Sequence, residues 1–549
     1  TGLALNASSR LIFGSTVAFQ PRLLEEDLSR SRLWLSRQGY PRAQVDPIFL
    51  PQRRGRRLAL RLDVDPGPPT VIDSVAVTGL PAGTTLPVPS PIGIDRGQRF
   101  VDDQVLASEK SLLGWLRSAG HADARVETAV TPTRGARVQV DFQSEPGPVF
   151  TMDSVAVSGA PPDLRSLVVR TVDLEPGTRY SPRFLERSQE SLRLLDLFRR
   201  IQVTTVKSGP TMRAVQVDAV PKDFRSLELG VGYWTDDELK GRAMWKHRNL
   251  LRGGRGAQVE GSFSRFLQTA GASVWWPALP LPRSRTSLSA DGELQNEDSY
   301  DLRQAKLELA VVHRYSPLTT LRAGVALSRV RVNAKTQEET PDTLLDLGGN
   351  LLTTSLQWVR ESTDDRFYPT RGTVTSSRVE WVPPGFASDA HYLRTTASAS
   401  AYLGLARNTV LASRLGIGYA FPTRSGEELL VSERFYAGGA TSMRGFKRHR
   451  LGPKDATGTP LGGEVLLEAG LELRVPLFWR LRAAVFGDAG QVWRHREDVD
   501  LGEIEFAVGP GLMVMTPIGP IRADLGYRLT NFTPHEPVRV FHIAIGQPF

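Results

Sequence analysis

From Ser226 to Phe549 apolar and polar residues alternate with a period of two, in short runs separated by turns. Leu227, Leu229, Val231 and Tyr233 alternate with Glu228, Gly230, Gly232 and Trp234. Near the end Ile521, Ala523, Leu525, Tyr527 and Leu529 alternate with Arg522, Asp524, Gly526 and Arg528. Successive side chains of a strand point to opposite faces, so each run has one apolar and one polar or glycine face. Apolar faces turned to lipid around a polar interior define a transmembrane antiparallel β-barrel. Helical patterning stops near Ala219-Val-Pro-Lys222, which sets the barrel at 223–549; at about 20 residues per strand with its connection, this allows roughly 16 strands. An uninterrupted apolar run of about 18 residues, the mark of a membrane helix, is absent from the sequence.

The N-terminal part repeats with a period of about 80 residues. Val71-Ile-Asp-Ser-Val-Ala-Val-Thr-Gly79 returns as Thr151-Met-Asp-Ser-Val-Ala-Val-Ser-Gly159, and Asp95-Arg-Gly-Gln-Arg-Phe100 as Glu175-Pro-Gly-Thr-Arg-Tyr180. Helically spaced apolar residues follow: Val105, Leu112 and Leu116 in one copy, Phe184, Leu192 and Leu195 in the next. With the strands that come after, the order reads strand, helix, helix, strand, strand, in units at 67–147 and 148–222. A third copy at 1–66 lacks its first strand, because Leu24 to Tyr40 matches the helix region and Thr1-Gly-Leu3 matches the turn Thr78-Gly-Leu80. The fold class is therefore α+β repeats followed by a membrane barrel.

One connection stands out, Arg434-Phe-Tyr-Ala-Gly-Gly-Ala-Thr-Ser-Met-Arg-Gly-Phe446. Gly438, Gly439 and Gly445 permit backbone shapes and approaches that side chains forbid, and Arg444 needs a fixed carboxylate if it leaves water. In Val465 to Val475 and in Leu481 to Ala489 the odd positions are apolar, which puts Glu472 and Asp488 on the polar face. The segment resembles the lumen-inserted loop of the BamA/TamA superfamily of outer-membrane barrels that assemble other barrels and whose relatives secrete large exoproteins. Phe486-Gly-Asp-Ala-Gly490 and Gly470-Leu-Glu-Leu-Arg474 resemble the strands that receive the loop. Lys246 to Gly254, Asp365 to Gly372 and the C-terminal Phe541-His-Ile-Ala-Ile-Gly-Gln-Pro-Phe549 also match family text, and the repeats resemble POTRA domains.

The resemblance implies 16 strands and a loop anchor of Arg444, Gly445 and Phe446, with Asp488 as the partner of Arg444 and Glu472 as a second acidic contact. Arg448, outside the motif, is expected to matter little. It also implies a lateral seam between first and last strands, at Leu229 and Val231 on one side and Ile543, Ile545, Gly546 and Phe549 on the other. Clients would pair with that edge; Gly546 and Pro548 would shorten its ladder. The implied location is the bacterial outer membrane, with the repeats in the periplasm. The implied partners are unfolded outer-membrane proteins, the lipid bilayer, and a TamB-like inner-membrane protein or assembly lipoproteins. Three repeats look most like the TamA branch. A BamA-type barrel with further repeats upstream and a two-partner-secretion pore are the alternatives.

Composition removes other classes. The chain has no cysteine, so thiolate metal sites and cysteine nucleophiles are absent. Its 8 histidines are scattered, and no zinc-protease, nucleophile-elbow or phosphate-loop motif is present. No enzyme activity, cofactor or metal is expected. The net charge of +9 is spread along the chain, which fits anionic lipid headgroups rather than nucleic acid. The sequence starts at Thr1 without a charged or apolar leader, so any export signal has been removed or precedes it.

Overall fold

The computed structural model describes residues 21–51, 58–81, 83–336, 346–365, 368–385, 388–405, 408–516, 519–530 and 537–545. Thr1-Gly-Leu3, Gly546, Pro548 and Phe549 lie outside them. The chain forms two compact units. One comprises Thr1–Ser158, Leu174–Gln189 and Gln202–Val217, the other Gly159–Asp173, Glu190–Ile201 and Asp218–Phe549.

The N-terminal elements are α1 (Pro21–Arg37), β1 (Gln44–Pro51) and β2 (Leu58–Asp65), then β3 (Val71–Thr78), α2 (Asp102–Ser118), β4 (Arg125–Pro132) and β5 (Arg137–Glu145). In the second set β5 lies between β3, parallel to it, and β4, antiparallel. Val105, Leu112 and Leu116 on α2 pack with Ile72, Val126, Val140 and Phe142 in its core. Two helices were expected between β3 and β4, but among the described residues only α2 forms. Pro81, Pro87, Pro89 and Pro91 crowd the preceding segment, and each proline removes a backbone donor and obstructs a helical turn. The next set has both helices: β6 (Thr151–Ser158), α3 (Pro162–Val172), β7 (Thr178–Arg179), α4 (Pro182–Arg193), β8 (Phe198–Lys207) and β9 (Met212–Pro221).

Sixteen antiparallel strands close the barrel. They are β10 (Arg225–Trp234), β11 (Glu238–His247), β12 (Gly256–Phe263), β13 (Leu267–Pro277), β14 (Ser284–Asn296), β15 (Tyr300–Ser316), β16 (Thr319–Ala334) and β17 (Asp346–Glu361). These are followed by β18 (Gly372–Val382), β19 (Tyr392–Gly404), β20 (Val410–Pro422), β21 (Val465–Pro476), β22 (Leu481–Trp493), β23 (Glu505–Thr516), β24 (Gly519–Arg528) and β25 (Arg539–Ile545). The apolar face of each run points outward: Leu229 is 74% and Val231 76% exposed, as lipid-facing residues are before lipid covers them.

The expected boundary at 222 falls between β9 and β10. Two pieces of the preceding repeat nevertheless belong to the barrel unit, because Leu164, Leu167 and Leu197 bury together with Phe224 and Ala278. Polar contacts reinforce this packing. Asn249 donates to Asp163 at 2.9 Å, and Asp196 meets Lys222 and Arg248 at 2.8 Å. Burial raises the Asp196 carboxyl, but hydrogen bonds from Lys222 and Arg248 and the charge of Lys246 hold it well below the usual carboxylate range.

Candidate functional site: a lumen loop and a short seam

The connection between β20 and β21 runs from Thr423 to Glu464 and folds into the barrel. At its base Leu429, Leu430, Val431 and Phe435 bury against inward residues of the wall, including Leu302, Val330, Val332 and Tyr392. Gly438 and Gly439 have φ of +111° and +109°, which L side chains rarely adopt, and they turn the chain toward the wall. A Cβ on Gly526 of β24 would lie 2.0 Å from the Arg444 carbonyl, so only glycine lets loop and wall touch there. Gly445 sits against Ala507, and Phe446 is buried with Ala437, Met443, Leu451 and Val492.

The Arg444 guanidinium binds Asp488 through two hydrogen bonds, Nε to Oδ2 and Nη2 to Oδ1, each 2.7 Å; the Arg444 backbone N–H adds a third at 3.2 Å. Its Nη1 donates to Glu472, and its plane lies 3.5 Å from the centre of the Phe486 ring. Arg444, Glu472 and Asp488 are 6%, 6% and 2% exposed. A planar guanidinium matches a carboxylate in this two-point geometry, which a lysine cannot. The period-two reading had put both acids on the polar face, and both point into the lumen.

The structure adds partners that the sequence reading did not name. Glu472 also receives Arg474 Nε at 2.7 Å and Arg522, which in turn binds Asp524; Arg414 lies 3.5 Å from Asp488. His542 of β25, 2% exposed, places Nε2 3.0 Å from the Arg444 carbonyl and Nδ1 3.2 Å from Asp236. Asp236 follows β10 and accepts the Ala440 N–H of the loop. Loop, first hairpin and last strand thus meet at one histidine. The signal for it was present, since Arg522, Asp524 and His542 all occupy the polar parity of their strands. A cavity of about 430 Å³ opens beside the cluster, bordered by Trp234, Arg444, Arg522, His542 and Ala544.

The expectation that Arg448 is dispensable is not met by the geometry. Its guanidinium reaches Glu297 at 2.6 Å and Asp237 at 3.0 Å, pinning the loop to the hairpins after β10 and β14. Burial raises the Glu297 carboxyl, but His449 and Arg448 hold it down at about 2. A depressed carboxylate stabilises the fold above its unfolded pKa, about 4.3, and loses that contribution as pH falls toward 2. Arg448→Ala is expected to destabilise the barrel by about 1–3 kcal/mol at pH 7 in urea unfolding. The gap to wild type should close between about pH 4.3 and pH 2; a gap constant with pH would contradict the pairing.

The seam is short. Among the described residues β10 pairs with β25 only at Tyr233↔Ile545 and Trp234↔Ala544, extended by hydrogen bonds between Thr235 and Ile543. By contrast, β24 and β25 pair from Ile521↔Ile545 to Tyr527↔Arg539, and β10 and β11 along the whole of β10. Ile543 and Ile545 therefore meet the end of β10 at Tyr233 to Thr235. The register runs from there toward residues 546–549, so the expected facing of Leu229 and Val231 with Gly546 and Phe549 lies outside the described residues.

A closed 16-stranded barrel with an inserted, arginine-anchored loop defines a class of lipid-embedded barrel. Residues 249–549 match the Omp85 superfamily domain, and the chain belongs to that superfamily. It is similar to the outer membrane protein assembly factor BamA of Neisseria meningitidis serogroup B, 23% identical over 518 residues, covering 82% of this chain and 63% of that protein. The chain thus spans less than two thirds of that relative's length. Its fold resembles BamA from Haemophilus ducreyi lacking POTRA domains 1-3, with a TM-score of 0.66 at 18% identity over 83% of this chain and 95% of that one. It also resembles CdiB from Acinetobacter baumannii, with a TM-score of 0.51 at 12% identity over 87% and 89%. The protein is a bacterial outer-membrane barrel with its α+β repeats on the periplasmic side.

Proposed function

We propose that the chain is an assembly factor that inserts outer-membrane β-barrel or autotransporter clients at the seam between β10 and β25, without enzymatic chemistry. The observation that carries this reading is that, among the described residues, β25 pairs with β10 at two positions and with β24 at seven. Backbone groups cannot stay unpaired in lipid, so an entering strand needs an edge, and β10 would offer one when it parts from β25. The repeats would hold extended clients by strand addition, for instance along β4, which has β5 on one side only. A TamB-like partner or assembly lipoproteins would dock on the same side. The repeats ahead of the barrel suggest a TamA-type role, the similarity to BamA a core-assembly role, and both use the seam.

The likeness to CdiB favours a second reading, an export pore. The anchored loop within the lumen weighs against it. Purified protein in lipid vesicles separates the two: the proposal expects faster folding of an unfolded barrel client than in empty vesicles. Unchanged folding together with release of a secreted exoprotein across the vesicle wall would establish the pore instead.

A further inference from the structure

On the outer wall, Arg303 of β15 stands directly opposite Arg331 of β16, with Arg329 two residues along the same face. All three are exposed. Like charges facing each other across strands repel, and here they share a face with Leu307, Leu309, Val325 and Leu327, each about half exposed and lipid-facing. The acidic residue of that face in β15, Asp301, is taken by Lys335 at 2.7 Å. Among the described residues no carboxylate pairs with any of the three arginines.

Their height is fixed by the pattern. Outward positions run apolar from Val311 to Ala305 in β15 and from Leu321 to Leu327 in β16, and the arginines follow immediately toward the rim reached by β10, which faces away from the periplasm. That apolar stretch, about 20 Å along the strand, lies within the lipid-facing band, and the guanidinium groups stand at its outer edge, on the headgroup side. Below and beside them a groove of about 710 Å³ crosses β12 to β16; Ala270, Gly292 and Ala305 form its floor and Phe263 and Leu294 flank it. Small residues leave room for an acyl chain, and the arginines close one end.

We propose that this groove binds a phosphorylated lipid of the outer leaflet, its headgroup phosphates bridging Arg303, Arg329 and Arg331 and one acyl chain lying over Ala270, Gly292 and Ala305. A phosphate bridging two guanidinium groups turns their repulsion into charge-assisted hydrogen bonds. Arginine forks suit that task. The site lies away from the seam, on strands that stay paired, so it is independent of client insertion. It would hold the barrel at a fixed height and rotation among its lipids.

The test is a titration of the full-length protein in detergent with bisphosphorylated lipid A, its dephosphorylated form and inorganic phosphate, read by native mass spectrometry. Wild type should retain bisphosphorylated lipid, and the variant R303Q/R329Q/R331Q should bind about a hundredfold more weakly, since each cation near an anionic surface contributes on the order of 1 kcal/mol. The dephosphorylated lipid should bind both equally weakly, and inorganic phosphate should not displace the lipid. Heat-dependent gel migration confirms that the variant is folded; should it fail to fold, Arg331→Gln against Arg331→Lys serves, with the glutamine variant binding about fivefold more weakly than wild type and the lysine variant between the two; equal binding by all three would overturn the proposal. Equal binding by wild type and variant, or equal binding of the dephosphorylated lipid, would overturn the proposal. Displacement by inorganic phosphate would assign the site to free anion and overturn the lipid commitment.

Discussion

Arg444→Ala is expected to destabilise the barrel by about 3–5 kcal/mol and to abolish most client assembly, while Lys447→Ala, three residues along and exposed, leaves both unchanged. The size follows from burial: the substitution removes from Asp488 and Glu472, 2% and 6% exposed, the cation that bridges them. Arg414 at 3.5 Å from Asp488 and Arg522 on Glu472 recover part of this loss, so the outcome lies toward the lower end. Arg444→Lys should recover little, because a lysine cannot make the two parallel bonds to Asp488. Urea unfolding gives the stability, and accelerated client folding in vesicles gives the activity. Equal effects of Arg444→Ala and Lys447→Ala would reduce the loop to generic charge. A double substitution Arg444→Ala/Asp488→Ala milder than the sum of its parts would show that the two act as a pair.

The barrel was legible because a membrane wall imposes one rule on every strand. Apolar residues alternate with polar ones, so Glu472 and Asp488 could be placed inside by counting alone, as could Leu229 and Val231 outside. The loop anchor came from another source: the segment around Arg444 and the strands around Glu472 and Asp488 resemble family text, and parity agreed with that resemblance. What parity cannot supply is proximity. Arg522 and Asp524 were placed on the polar face, yet their meeting with Glu472, and that of His542 with Arg444, depends on closure of β24 and β25 onto a loop some 80 to 100 residues away in sequence. Arg448 shows the same limit, since its partners Asp237 and Glu297 lie on two other hairpins. The missing helix between β3 and β4 is a different failure. The repeat was read from its matching strands, whereas the proline cluster at 81–91 set the local backbone.

His542 gives the seam a physical link to the anchor. It touches the Arg444 carbonyl and Asp236 at once, so parting β10 from β25 separates groups that also hold the loop. A barrel that opened without disturbing the loop would have to lose the contact to Asp236 and keep that to Arg444.

The central claim is that β10 and β25 part during client insertion, and one covalent bond tests it. Tyr233 and Ile545 face each other across the seam, within the range in which paired cysteines oxidise, and the chain has no cysteine of its own. The variant Tyr233→Cys/Ile545→Cys, oxidised in vesicles and confirmed by gel shift, should lose nearly all assembly activity and regain it on reduction. The control Leu307→Cys/Leu327→Cys, joining directly opposed residues of β15 and β16, should remain active in both states, since that wall has no need to open. If the cross-linked seam assembles clients at the rate of the reduced protein, the seam does not open for insertion and the account is contradicted.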